Sequence, residues 1–591
     1  MVLEMSGVSL KKVKQEGAAS QGQEAPCGDD NTWGIEVEPG EWVRTLNGIE
    51  TVFACGGRHG CFNTVTTLWL TSPLPLQPHL IRHALTLLAQ QVKVLQLHVS
   101  WRWLRLWFRR MKHVIVDFRV DDRAVGDVVS GLVGSRYNME RGPLWRARLV
   151  PLPAPPDRHR AVLVLAVQHT ITDGLSNMIL SRDLLHLINT TLLPHGPGPT
   201  LSPHRPIISL TNMVKPGDWP YILSMLYKKM STSILTSKNK TIYFGGGLPY
   251  PSPSCPPVPP VNRLLHTELS VTTTEALLAR CRAAKVTLHA VLLAVAQVAL
   301  VRVAGRRGGV DVAGTEVTIC NCVNFRRYIP PHLAHTPGCF ISLEDREVPA
   351  SADDEKDVWG LVTRLNTSLR HSLGPGRIPV KNTPLLRMIT LMVVGLNRAL
   401  SRMNRPHRCD SHMITSNMGN LSGLLPGTCS AGPVQVAHMV RTVSSEMACT
   451  PFMLASHTFR GRLLISLDYY TNKITPTAAS QVFYCLVSMM KCLGNHGSLT
   501  HDGPDADTTC PNTHHDHTTF TYTTPPQDYH TFNNDQYFTC EDDQDDHDYD
   551  KYNYNHDHNH NHQDNGSTIT TLNNPATPSN TTTTTTITNQ T

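Results

Sequence analysis

The sequence predicts an α/β protein built as two similar halves, and three observations predict it. Apolar runs of strand length alternate with segments of helical spacing in two separate blocks. A Pro- and Gly-rich crossing at 196–262, which includes Pro251-Ser-Pro-Ser-Cys-Pro-Pro-Val-Pro-Pro260, separates the blocks and has the composition of a surface linker. Both ends of the 591-residue chain lack the aliphatic content that would offset their chain entropy. The expected organisation is a disordered segment at 1–37, a first subdomain at 38–195, the crossing at 196–262, a second subdomain at 263–496, and a disordered acidic tail rich in Thr, Asn and His at 497–591.

In the first half, Leu80, Ile81, Ala84, Leu85 and Leu88 form one stripe of a helix at 78–91. The stretch Trp101-Arg-Trp-Leu-Arg-Leu-Trp-Phe-Arg-Arg110 mixes aromatics with arginines. It reads as a half-buried strand with a basic edge, or as a segment for a membrane surface or a single-strand groove. Ala161 to Val167 is uninterruptedly apolar, as a strand covered on both faces must be. From Leu175 the pattern turns helical through Met178, Ile179, Leu184, Leu185 and Ile188. The second half opens with helices at 273–284 and 287–303, followed by strands near 315–325 and 462–470. Further helices fit 354–371 and 476–493, the last with Thr475 as cap and Pro476 at the first helical position. Pro384 to Leu400 reads as a core or tunnel-lining helix, with a membrane-surface helix as the alternative.

Charge separates along the chain. From residue 501 onward there are 15 Asp and Glu against the single Lys551, which leaves 52 basic and 32 acidic residues before it. A body of net charge +20 suits phosphates or an anionic membrane surface. No recognisable nucleic-acid module accompanies it, so nucleic acid is not an expected partner. The 15 cysteines lack paired CxxC spacing, and no signal peptide opens the sequence, so they read as reduced thiols of a cytoplasmic protein. His556, His558, His560 and His562 belong to low-complexity sequence and do not amount to a metal site. No metal or permanently bound cofactor is expected. No segment reaches the roughly 20 apolar residues of a membrane span, which leaves peripheral contact with an intracellular membrane as the only membrane association expected.

The chemistry concentrates at Val167-Gln-His-Thr-Ile-Thr-Asp-Gly174, in the turn between the apolar strand and its helix. A histidine suits proton abstraction from a hydroxyl or amine near neutral pH; in other settings a histidine beside an apolar strand is a satisfied boundary residue. His169 is the candidate base. Asp173 is placed to orient the imidazole, to pair with an arginine, or to cap the helix. Gly174 would let the backbone turn tightly. The chain has no G-x-S-x-G nucleophile elbow, in keeping with direct transfer.

This HxxxDG turn resembles the active-site motif of the chloramphenicol acetyltransferase-like superfamily, which includes alcohol O-acetyltransferases, wax ester synthases and condensation domains. Arg141-Gly-Pro-Leu-Trp-Arg146, Thr287-Leu-His-Ala-Val-Leu-Leu-Ala294, Val323-Asn-Phe-Arg-Arg-Tyr328 and Ser416-Asn-Met-Gly419 are similar to further segments of these proteins, in the same order. Gln168 stands where condensation domains carry a first histidine, the plant "DFGWG" signature is missing, and the first-helix end is degraded to Gln91-Val-Lys-Val-Leu-Gln96. The resemblance implies two acetyltransferase-like α/β sandwich subdomains with an active-site tunnel between them. It implies a monomeric acyltransferase that uses acyl-CoA as co-substrate and an alcohol-type or amine acceptor, small molecule or lipid. It also implies that Asp173 forms a structural ion pair, with Arg326 or Arg327 as partner. Attack on a thioester needs an oxyanion donor, for which Asn417 is the candidate; its other reading is a turn beside Gly419. The alternative to an enzyme is an inactive member that keeps the fold as a binding or scaffold module.

Overall fold

The computed structural model describes residues 39–192 (save 104), 201, 261–308, 316–373 (save 330 and 352), 411–425, 432–444 and 450–499 (save 472). Nearly all of the terminal segments expected to be disordered and of the crossing, together with the 384–400 helix and the tail histidines, lie outside them. The first half runs through β1 (Pro39–Thr45), α1 (Gly48–Gly57), β2 (Asn63–Ser72), α2 (Pro78–Gln91), β3 (Leu97–Arg102), β4 (Arg105–Met111), β5 (Phe118–Val120), α3 (Val125–Val133), β6 (Trp145–Leu152), β7 (His159–Gln168) and α4 (Gly174–Leu192). The second runs through β8 (Asn262–Glu268), α5 (Val271–Ala283), α6 (Leu288–Gly308), β9 (Glu316–Asn324), β10 (Ile341–Pro349), α7 (Val358–Leu373), β11 (Met413–Asn420), β12 (Gln435–Val443), β13 (Phe452–Phe459), β14 (Arg462–Tyr470) and α8 (Pro476–Asn495).

The apolar run at 161–167 becomes the middle of β7 because both of its faces are covered. Ala161, Leu163, Leu165 and Val167 pack with Leu85 and Leu88 of α2 and Leu180 and Leu184 of α4. Val162, Val164 and Ala166 pack with Val128, Val129 and Leu132 of α3. Period-two alternation thus sends one strand into two cores. The strand lies between β2 and β6 in a five-stranded sheet of order β12-β2-β7-β6-β5.

A six-stranded mixed sheet, β10-β9-β11-β13-β14-β8, forms the second half. It packs through Ile319, Leu454, Leu463 and Ile465 on α6, whose Val291, Val295 and Val298 are buried with Leu486 and Met490 of α8. α8 begins as its sequence indicates: Thr475 caps it by accepting from Ala478 N–H, and Pro476 follows at the first position. α7 starts at Val358 rather than near 354, because Asp357 caps it, Oδ1 accepting from Gly360 N–H at 2.9 Å.

Two features depart from the linear reading. Strand β12, from the second block of sequence, pairs antiparallel with β2 from Gln435 opposite Thr71 to Val443 opposite Thr64, so it closes the edge of the first sheet. The Trp/Arg segment is a hairpin, not one strand: Trp103 at φ 49° reverses the chain between β3 and β4. With β1 this hairpin makes a separate three-stranded sheet. The Arg102 guanidinium lies 5.1 Å from the Trp42 ring and 5.3 Å from that of Trp107. Trp103 at the tip is 83% exposed. Among the described residues, no single helix is long and apolar enough to cross a membrane.

Candidate active site

The end of β7 delivers His169 into a turn fixed from both sides. Its backbone N–H donates to Phe62 O at 2.9 Å, and its ring stacks on Phe53, with centroids 4.5 Å apart. On the entry side Gln168 is fully buried. Its Nε2 donates to the carbonyls of Phe53 and Cys61, both at 3.1 Å, and its Oε1 accepts from Thr170 N–H and the Thr170 hydroxyl. Gln168 therefore ties α1 and the segment before β2 to the turn.

On the exit side Asp173 is a clamp. Its Oδ1 accepts from Ser176 N–H at 2.7 Å and so caps α4. Its Oδ2 accepts from Phe340 N–H at 2.8 Å and from Arg326 Nη1. Arg326 follows β9 in a short 3-10 turn, Phe325–Tyr328, and donates further to Ser176 Oγ and Ala334 O, both at 2.8 Å. Its guanidinium stacks over Phe340 at 4.5 Å. Burial alone would raise the Asp173 carboxyl; the charge and hydrogen bond of Arg326 and the two backbone donors outweigh it and hold it below the usual carboxylate range. Cap and ion pair coexist, one on each oxygen. Arg327 points elsewhere: it is exposed, with its guanidinium 5.9 Å from the Tyr328 ring.

His169 is 9% exposed, and Nδ1 is buried without a hydrogen-bond partner. Burial pushes the ring pKa down, and the positive charge of Arg441 acts in the same sense. Asp173 and the carbonyls of His169 and Thr172 oppose this, though neither carbonyl reaches hydrogen-bonding geometry at Nδ1. The result is an imidazole that stays neutral at neutral pH.

Gly174 does not occupy left-handed backbone; crowding explains it. A Cβ there would lie 2.7 Å from Met418 Sδ of β11. The Ser-Asn-Met-Gly segment thus meets the HxxxDG turn through its methionine. Neighbouring Asn417 makes the turn bond, with Gly419 N–H donating to its Oδ1 at 2.8 Å, which leaves the amide NH2 as its available donor.

Residues 258–468 match the family of the phthiocerol/phthiodiolone dimycocerosyl transferase C-terminus. No curated protein matches the chain by sequence. Among solved structures, it is similar to TRI3 trichothecene 15-O-acetyltransferase from Fusarium sporotrichioides at 11% identity and TM-score 0.59, over 76% of this chain and 95% of that one. The condensation domain of the monacolin K polyketide synthase MokA aligns at 13% identity and TM-score 0.56, over 78% of this chain and all of that domain (100%). Polyketide synthase associated protein 5 from Mycobacterium tuberculosis aligns at 15% identity and TM-score 0.52, again over 78% and 100%. The chain shares the fold of these acyltransferases and condensation domains.

The residues to which sequence reasoning gave no role are those that build the environment of the turn: Phe53, Ser176, Phe340, Met418 and Arg441. Four are ordinary core or cap residues with no local signature. Arg441 did leave a signal, a charge inside the strand-like run Val436-Ala-His-Met-Val-Arg-Thr-Val443.

Proposed function

We propose that this chain moves an acyl group from acyl-CoA to an alcohol-type acceptor by direct attack, with His169 as general base. The observation that carries this reading is a buried imidazole on a turn locked by Gln168 and Asp173. The acceptor hydroxyl gives its proton to His169 as its oxygen attacks the thioester carbonyl carbon. A tetrahedral oxyanion forms, and the Asn417 amide is the candidate donor for it. Collapse breaks the C–S bond, and the leaving thiolate takes the proton back from the imidazolium. A tunnel between the two sheets, with the two substrates entering from opposite faces, is part of the same proposal.

Two cysteines near the turn support direct transfer over a thioester intermediate. Burial pushes Cys322 up to about 12 and Cys339 well above the usual thiol range, so neither is a thiolate at neutral pH.

The test is thiol release from acyl-CoAs of graded length with pooled alcohols and amines, beside His169→Ala. Acceptor-dependent release should fall in the variant by about 100-fold or more. Release that survives the substitution would remove His169 as the base. Binding of acyl-CoA without turnover by any acceptor would favour a scaffold. The depressed imidazole also fixes a pH profile. The base is lost only when His169 is protonated, so kcat/KM should hold on acidification to about pH 6.5 and decline below it. A decline that begins well above that pH would contradict the assignment.

A further inference from the structure

We propose that Arg441 is the recognition residue for a carboxylate carried by one of the two substrates, seated beside the catalytic turn so that a carboxylated partner is selected over its uncharged counterpart. The proposal rests on the acyl-transfer reading for its setting and extends it to substrate class.

Arg441 lies on β12 opposite Thr66 of β2. The same face of β2 presents Thr64, whose Oγ1 accepts from Asn177 of α4 at 2.7 Å, so this face looks onto the helix that leaves the HxxxDG turn. The guanidinium reaches the head of that helix: Nη2 would lie 3.6 Å from a Cβ placed on Gly174. The residue is 5% exposed, and its Nη1 is buried with no hydrogen-bond partner. Among the described residues it makes no ion pair.

The two buried carboxylates near enough to bear on its charge are engaged elsewhere. Asp173 is held by Arg326, Ser176 and Phe340. Asp468 accepts from the Thr442 hydroxyl, from Asn262 Nδ2 at 3.2 Å and from Val443 N–H at 3.4 Å. Burial lowers the guanidinium to about 10, so it remains cationic at neutral pH. A buried cation with unfilled donors is costly unless an anion meets it. Its planar fork fits a carboxylate through two parallel hydrogen bonds. A monoanion balances the guanidinium one for one, whereas a phosphate dianion would bring surplus charge beside Asp173 and Asp468. A carboxylate is therefore the anion that fits.

Either substrate could carry it, and two matched pairs separate the sources. Calorimetry on full-length His169→Ala, which holds ligands without turnover, compares succinyl-CoA with butyryl-CoA. It also compares a panel of hydroxy acids with their methyl esters. One pair should favour its carboxylated member at least 10-fold, and adding Arg441→Gln should reduce that preference at least 10-fold. No preference in either pair, or a preference that survives Arg441→Gln, would overturn the proposal. Because the readout is binding, absence of acyl transfer would defeat the catalytic reading and leave this one standing. A second measurement covers the case of a misfolded variant. Arg441→Met removes an unpaired charge at similar volume, so the melting temperature of the free protein should rise. A fall would mean that the guanidinium serves the fold, and would also overturn the proposal.

Discussion

At the scale of single residues, Asp173 shows what the aspartate of the HxxxDG turn does for the fold. Both of its oxygens are saturated by groups that bring the 326–340 segment against α4, and no hydrogen bond to His169 is among them. Asp173→Ala would leave Arg326 as an uncompensated buried charge. We expect a loss of about 3–5 kcal/mol, measured by denaturant unfolding. Gly174→Ala should be destabilising through Met418, and Met418→Ala should relieve most of that loss in a double-mutant cycle. Additive costs would show that the contact is not the reason for the glycine. His169, Asp173 and Gly174 were legible because their chemistry is compressed into one strand–turn–helix string. The choice of Arg326 over Arg327 was not. It depends on which way a 3-10 turn rotates two adjacent arginines, and nothing in the local sequence encodes that.

At the scale of elements, periodicity placed α2, α5, α6, α8, β7, β9 and β14 to within a few residues, because each has an apolar face or run that must be buried. Boundaries set by side-chain hydrogen bonds were harder to read. Asp353, Asp354 and Asp357 are interchangeable as caps on sequence grounds, yet Asp354 is engaged by Gln297 and Arg364, and Asp357 takes the cap. Asp357→Ala should fray the first turn of α7 and cost about 1 kcal/mol, visible as faster amide exchange around Trp359 to Leu361. Unchanged exchange there would assign the helix start to packing alone. The Trp/Arg hairpin was read as one strand because alternation persists through its tip; only the left-handed Trp103 breaks it.

At the scale of the whole molecule, buried histidines dominate the expected response to acid. Burial lowers His98, His266 and His289 to about 4 in the fold, against about 6.5 unfolded. Their contribution is complete above the unfolded value and is lost as pH falls toward the folded one, at up to about 1.4 kcal/mol per pH unit for each. Asp468, raised by burial to about 7, acts in the opposite sense: its contribution is present at low pH and lost as pH rises through 7. The depressed histidines outnumber Asp468 and give a net acid instability. The denaturant midpoint should be lower at pH 5 than at pH 6.5, and an equal or higher midpoint would show that these rings protonate without unfolding. The pairing of β12 with β2 has a different consequence, for how the chain is made. A product that stops before residue 435 exposes the backbone of β2 from Thr64 to Thr71 as an open row of donors and acceptors, beside a core that still lacks Val436, Met439 and Val440. Such a fragment is a template for any strand that finds it first, including the same strand of another copy. Solubility should therefore arrive late in synthesis, with the strand that closes the first sheet.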